Sequence, residues 1–357
     1  VAGPLQDMQM DIRTPTAASD VLQELDKLLD IGRRHYEETG LTVGLAFDTE
    51  TTSLQPYCPT DRVIAVSLSA EEGSGIAYPF QHNACKYTDA EFAAIRAKTE
   101  EVLSSPYFSL MAANGKFDIQ WLHYHYGMDL RPLKFDVLLA EHILDEDKKG
   151  EYSLKDITRD RFPAMGKYEE ELKTKRDAAW KLKDDAVAEI MAAHKAACQD
   201  AVFQWWARAS DGDRLSICAK WLASGYIKPE LSAQLTKLQT RKHEVDGKKI
   251  YLKSCQKTIG KAITAIFDEH PEALTILPPE ALLPKPEIPQ ELLNKTYEDI
   301  DLPVLLRYAA IDALTTKKIA IDQHNDLNKD YKVLLEAEVR GGKSIPAESS
   351  RTVLNNN

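Results

Sequence analysis

Asp48 and Glu50 stand two residues apart in Phe47-Asp48-Thr49-Glu50-Thr51-Thr52-Ser53-Leu54, directly after the apolar run Leu41 to Ala46. Val43, Leu45 and Phe47 give that run strand character, and in a strand residues i and i+2 point to one face. Two carboxylates on one face, at the edge of an apolar element, repel each other unless a cation lies between them. Alone, the pair reads as a strand running into a solvated turn. Two further segments change that reading.

In Leu110-Met111-Ala112-Ala113-Asn114-Gly115-Lys116-Phe117-Asp118 a short apolar run ends at Asn-Gly, and Phe117, Trp121, Leu122 and Tyr126 then follow at helical spacing. Asp118 falls in the first turn, where the helix dipole favours its ionised form. An ordinary capping aspartate is the plain alternative. In Leu305-Leu306-Arg307-Tyr308-Ala309-Ala310-Ile311-Asp312, Tyr308 and Asp312 are four apart and share one face of a helix. Alone, this would be an exposed aspartate beside a half-buried tyrosine.

Four carboxylates from three distant segments suit hard divalent cations, which prefer carboxylate and phosphate oxygens. Such a set can hold two ions roughly 4 Å apart, one lowering the pKa of a water and one stabilising a leaving 3′-oxygen. Asp48 is the natural bridge, with Glu50 and Asp312 completing the nucleophile-side ion and Asp118 holding the other largely through waters. Tyr308 would orient the attacking water. A phenol with pKa of about 10 is a poor general base at neutral pH.

Asp48, Glu50, Asp118, Tyr308 and Asp312, in this order and with these flanks, resemble the DEDDy 3′–5′ exonucleases of the DnaQ-like superfamily. The resemblance is specifically to the proofreading domain of family A (DNA polymerase I-like) DNA polymerases. It extends to Asp61–Leu68 with Ile76–Phe80, and to Lys134–Glu141, and covers residues 20–162 and 291–330. It implies that Leu54 wedges against the terminal base, that Thr49 and Phe117 line the substrate, and that Asn114 does so or braces the loop carrying Asp118. It also implies two Mg²⁺ ions (Mn²⁺ as substitute), single-stranded DNA or a frayed 3′ end as substrate, and a DNA polymerase domain or subunit as partner. Two other classes use the same features: an RNase D-like exoribonuclease with the same acids and tyrosine, and a non-catalytic nucleic-acid-binding module.

The elements that must position these residues are legible too. An amphipathic helix capped by Ser19-Asp20 runs to Gly40; strands are expected over 42–48, 62–69 and 74–80, and a helix over 88–104 opened by Thr88-Asp89. A strand at 108–113, the Asp118 helix, a strand at 134–137 and a helix at 137–145 follow. Mixed strands with interleaved helices fit a ribonuclease H-like α/β fold, a mixed sheet flanked by helices, with a large, mainly helical insertion. The expected organisation is a disordered or non-native N-terminus (1–18), the first part of the core (19–172), the insertion with a Pro-rich return linker (173–290), the C-terminal core helix (291–339) and a flexible tail (340–357).

In the insertion, 173–209 is helical in composition, shorter helices are expected near 213–224, 229–241 and 254–268, and His243–Leu252 reads as a small hairpin around Asp246-Gly247. Trp180, Trp205, Trp206 and Trp221 form either a small core there or a surface for DNA or a replication partner. The net charge of −11 is uneven: residues 151–270 carry 22 Lys+Arg against 18 Asp+Glu, and Lys220–Ala262 ten against three. A nuclease that releases many single-stranded ends needs no uniformly basic surface. No stretch approaches a membrane span, no secretory signal is evident, and five cysteines without metal spacing read as reduced thiols. A cytoplasmic location follows as an expectation. His82, His123 and His125 read as structural.

Overall fold

Alternating Leu45 and Phe47 place β2 (Val43–Thr51) inside a six-stranded mixed sheet. The computed structural model of this chain describes residues 10–147, 152–233 and 268–340, with stretches at 242–245, 248–251, 260–261 and 264–266. The strand order is β1-β4-β3-β2-β5-β6, with β1 (Asp11–Arg13), β3 (Val63–Ser69), β4 (Ser74–Pro79), β5 (Phe108–Ala112) and β6 (Leu133–Asp136). The β2–β3 and β3–β4 pairs are antiparallel, while β1–β4, β2–β5 and β5–β6 are parallel. β3 and β4 are buried along their whole length, as expected of strands covered on both faces.

On one face α1 (Ala18–Thr39), α2 (Asp89–Ser104) and α3 (Gly115–Tyr126) supply Leu25, Ile95 and Trp121 to a core with Leu45 and Phe47. On the other, α8 (Leu302–Arg340) lays Leu306, Ala309 and Ala310 against Ala65 and Ala77. This is the ribonuclease H-like architecture. The approach of α8 is close: a Cβ at Gly75 would come within 2.4 Å of the Ala310 carbonyl oxygen. Gly75→Ala is therefore expected to cost roughly 1–3 kcal/mol through overpacking, read as a lowered denaturant midpoint. Because α8 also carries Tyr308 and Asp312, this glycine sets the depth of the candidate site.

Local signals explain most boundaries. Thr88 caps α2 with a reciprocal capping box through Glu91, and Gly40 closes α1 with φ +71°. Three features differ from the sequence expectation. Residues 11–13, expected to be disordered, form the edge strand β1 on β4; three residues are too few to show alternation. The N-cap of α1 is Ala17 without a side-chain bond, since the buried Ala18 and Val21 set the start by packing. After α4 (Val137–Leu144), a helix α5 (Leu154–Arg161), capped by Ser153, had no clear signal.

The chain divides into two compact units at Trp180/Lys181 and Asn294/Lys295. The second unit contains most of α6 (Glu170–Arg208), α7 (Asp211–Ala223) and an antiparallel pair, β7 (Lys242–Val245) with β8 (Lys248–Tyr251). Its core stacks Trp206 on Trp221 at 5.7 Å, and Trp221 Nε1 donates to the Ala273 carbonyl at 3.0 Å. These two tryptophans are core residues. The helices expected at 229–241 and 254–268, the basic cluster there, Cys255 and the tail beyond residue 340 lie largely or wholly outside the described residues.

Candidate active site

The end of β2 is where the sheet opens. β5 pairs with β2 only as far as Ala46, so residues 47–51 have β3 as their only strand partner, with Asp48 opposite Ser67 and Glu50 opposite Ala65. Along this overhang the faces alternate. Asp48 and Glu50 turn toward α8, and Thr49 turns toward α3. Asp312 meets the two carboxylates there: one oxygen from each of Asp48, Glu50 and Asp312 lies within 4.8 Å of the others.

Asp118 is held differently. Its Oδ1 accepts from the Thr49 backbone N–H at 2.9 Å and from Thr49 Oγ1 at 2.6 Å. It stands beside the three-carboxylate group, close enough for its charge to act on Asp48 and Glu50. Thr49 is buried and braces Asp118. Asn114 adopts a left-handed conformation (φ 61°) at the N-terminus of α3 without a side-chain cap. It turns the chain from β5 into α3, and the Gly115 N–H donates to Asp136 Oδ2 at 3.1 Å. Phe117 packs edge-on against Trp121 at 6.1 Å. Leu54 is 85% exposed beyond the end of β2, free to meet a ligand.

The electrostatics are those of crowded, desolvated acids. Burial first, then Asp118, Glu50 and Asp312, hold the Asp48 carboxyl well above its ordinary value. Glu50 is pushed up to about 8 by burial and then by Asp312 and Asp118. Asp118 rises to about 7 by burial, against the two Thr49 hydrogen bonds. Asp312 rises to about 6 by burial, with donors from Tyr168 and Tyr308 acting in the opposite direction. Tyr308 is 8% exposed, and burial followed by the Asp312 charge lifts its phenol well above 10. It is a proton donor.

Two neighbours had no sequence signal. The Tyr168 hydroxyl donates to Asp312 Oδ1, and its ring stacks on Tyr308 at 5.8 Å and 13°. Lys155 pairs with Glu169 at 2.9 Å, and its charge lowers both Glu50 and Asp312. Both come from a stretch whose turns and short helix carry no periodic pattern. An all-oxygen group of three converging carboxylates, each with its pKa raised for want of compensating charge, fits a hard divalent cation such as Mg²⁺ or Mn²⁺.

A family model for 3′–5′ exonucleases of the DNA polymerase A type matches residues 14–193, half of the chain. The chain belongs to the 3′–5′ exonuclease family. No curated protein matches the sequence. Among solved structures, NrnC from Brucella melitensis with bound Mg²⁺ is 20% identical over 42% of this chain and 61% of its own, with a TM-score of 0.28. The catalytic core of RRP6 from Trypanosoma brucei is 14% identical over 45% of this chain and 38% of its own, with a TM-score of 0.30. The polymerase domain of Pol1 from M. smegmatis, in complex with DNA primer-template and dNTP, is 13% identical over 68% and 47%, with a TM-score of 0.27. The matched region thus spans less than two thirds of each of these chains. Among the described residues of this exonuclease-family chain, no helix is long and apolar enough to cross a membrane.

Proposed function

We propose that this chain is a divalent-metal-dependent 3′–5′ exonuclease that removes nucleotides from DNA 3′ ends. The observation that carries the reading is the convergence of Asp48, Glu50 and Asp312 from β2 and α8, with Asp118 fixed alongside by Thr49. Asp48, Glu50 and Asp312 would hold one ion, and Asp48 with Asp118 a second. Bound there, such ions would supply an acidified water and charge stabilisation for the phosphoryl and leaving oxygens.

The protein's own groups supply the rest. Thr49 holds Asp118 in place through its two donors, which favour the ionised carboxylate against the effect of burial. Tyr308 donates to Asp312, and its oxygen accepts from an attacking water and orients it, that water's oxygen forming the new bond to phosphorus. The bond from phosphorus to the 3′-oxygen of the preceding nucleotide breaks; the water's proton passes to solvent and the leaving oxygen takes one from solvent. Leu54, projecting from the open end of β2, meets the terminal base, and Phe117 and Asn114 shape the floor below it. DNA is favoured over RNA by the resemblance of the strand block after Asp48 to proofreading domains. A family A polymerase, as the remainder of a longer chain or as a separate subunit in the cytoplasm, is the proposed partner. The second unit would contact that partner or the DNA.

The test uses the pure chain with Mg²⁺ on 3′- and 5′-labelled single-stranded DNA, beside matched RNA. Shortening from the 3′ end of DNA is expected. Preference for RNA would move the chain to an RNase D-like role, and no cleavage of either would point to a binding module. Tyr308→Phe should slow hydrolysis about tenfold, the ~1.4 kcal/mol of one hydrogen bond. Its metal affinity should fall by less than its rate, since Tyr168 still donates to Asp312.

A further inference from the structure

We infer that Tyr168 is a positioning residue of the acid cluster: its hydroxyl fixes the Asp312 carboxylate, and its ring fixes Tyr308, in the arrangement that receives a divalent ion. The inference rests on the nuclease reading of the same site. Tyr168 is 6% exposed, and its O–H donates to Asp312 Oδ1. A buried phenol O–H without an acceptor costs roughly 1–3 kcal/mol. The hydroxyl is therefore committed to that carboxylate, where a phenylalanine would serve the packing equally well.

The segment that delivers it is anchored on both sides. Met165 and Leu172 enter the apolar cluster that holds Leu305, Tyr308 and Ile311 of α8. The next residue, Glu169, is buried and paired with Lys155 at 2.9 Å and Lys173 at 3.1 Å. Tyr168 thus has little freedom to follow a moving carboxylate. The carboxylate must instead adopt the rotamer that Tyr168 sets. A metal-binding carboxylate with one oxygen tied to a neighbouring donor presents a defined oxygen to the ion, and losing such a partner typically costs about 10–100-fold in affinity or activity. The near-parallel stack on Tyr308 gives Tyr168 a second task, which the ring alone performs.

The two tasks separate by substitution. Tyr168→Phe keeps the ring and removes the donor; Tyr168→Leu removes both. Titration of the metal-free full chain with MnCl₂ by calorimetry should show about tenfold weaker binding for Tyr168→Phe. Its hydrolysis rate should recover toward that of the unsubstituted chain as Mn²⁺ is raised. Tyr168→Leu should bind equally weakly, and its rate should stay low at saturating Mn²⁺, since Tyr308 has lost its support. Circular dichroism of each variant separates these effects from misfolding. Unchanged Mn²⁺ affinity in a folded Tyr168→Phe chain would overturn the inference while leaving the nuclease reading intact. If the unsubstituted chain and Asp48→Ala bound Mn²⁺ alike, the nuclease reading would fall, and the inference with it.

Discussion

Asp48→Ala is expected to lower hydrolysis of a labelled oligonucleotide by at least about 10³-fold, a loss of about 4 kcal/mol of transition-state stabilisation. Asp48 is the carboxylate on which the others converge. Asp118, Glu50 and Asp312 all act on it, and it stands on the overhang of β2 where β3 is the only strand partner. Removing it takes a carboxylate from the cluster and leaves the apolar packing of Leu45 and Phe47 untouched. The folded chain should therefore survive. The metal-free form should melt at a higher temperature than the unsubstituted chain, because one buried, repelling carboxyl has gone. Rate and stability moving in opposite directions is the signature of a functional acid. Near-normal hydrolysis by Asp48→Ala would remove the site assignment.

The second large effect is a pH dependence of stability that divalent ions should reverse. Glu50, Asp118 and Asp312 have folded-state values of about 8, 7 and 6, against ordinary values of 4.5, 3.8 and 3.8, with burial the leading cause for each. A carboxyl whose folded pKa is raised favours folding while protonated. That contribution is fully present below the unfolded pKa and is lost as pH rises through the folded one. The metal-free chain should therefore lose stability between about pH 5 and 8.5, by on the order of 3–5 kcal/mol, since each pKa unit is worth about 1.4 kcal/mol and the coupled shifts do not add. At roughly 2–4 °C per kcal/mol the melting temperature should fall by about 10 °C. Saturating Mg²⁺ should flatten the curve at its alkaline end. A metal-free melting temperature that rises from pH 5 to 8.5 would contradict the crowding of these acids.

Much of this site could be read before the fold was known, for physical reasons that also explain the misses. Asp48 and Glu50 share a face because a strand alternates, and Tyr308 and Asp312 because a helix turns, so local spacing carried both pairs. Asp118 is also where its helix-opening pattern placed it. Its separation from the other three was hidden, because it depends on Thr49 pointing to the opposite side of β2 and capturing Asp118 Oδ1. Tyr168 and Lys155 were invisible for a different reason. Each gains its role from a long-range contact, 144 residues in the case of Tyr168 and Asp312, and nothing in its immediate neighbours marks it. β1 was too short to declare itself, and the Trp206–Trp221 stack was one of two readings that composition left open.

Trp180 Nε1 donates to the Thr296 carbonyl at 3.4 Å, so the chain departs from the acid-bearing unit and returns to it at nearly the same point. The intervening 181–294 is thus a parenthesis in the polypeptide. Whatever stands between the brackets, the outer sentence spans the same short gap, and closing it requires only a tight connection. This is a seam at which sequence can be lengthened, traded or struck out over evolutionary time while Asp48 and Asp312 keep their spacing.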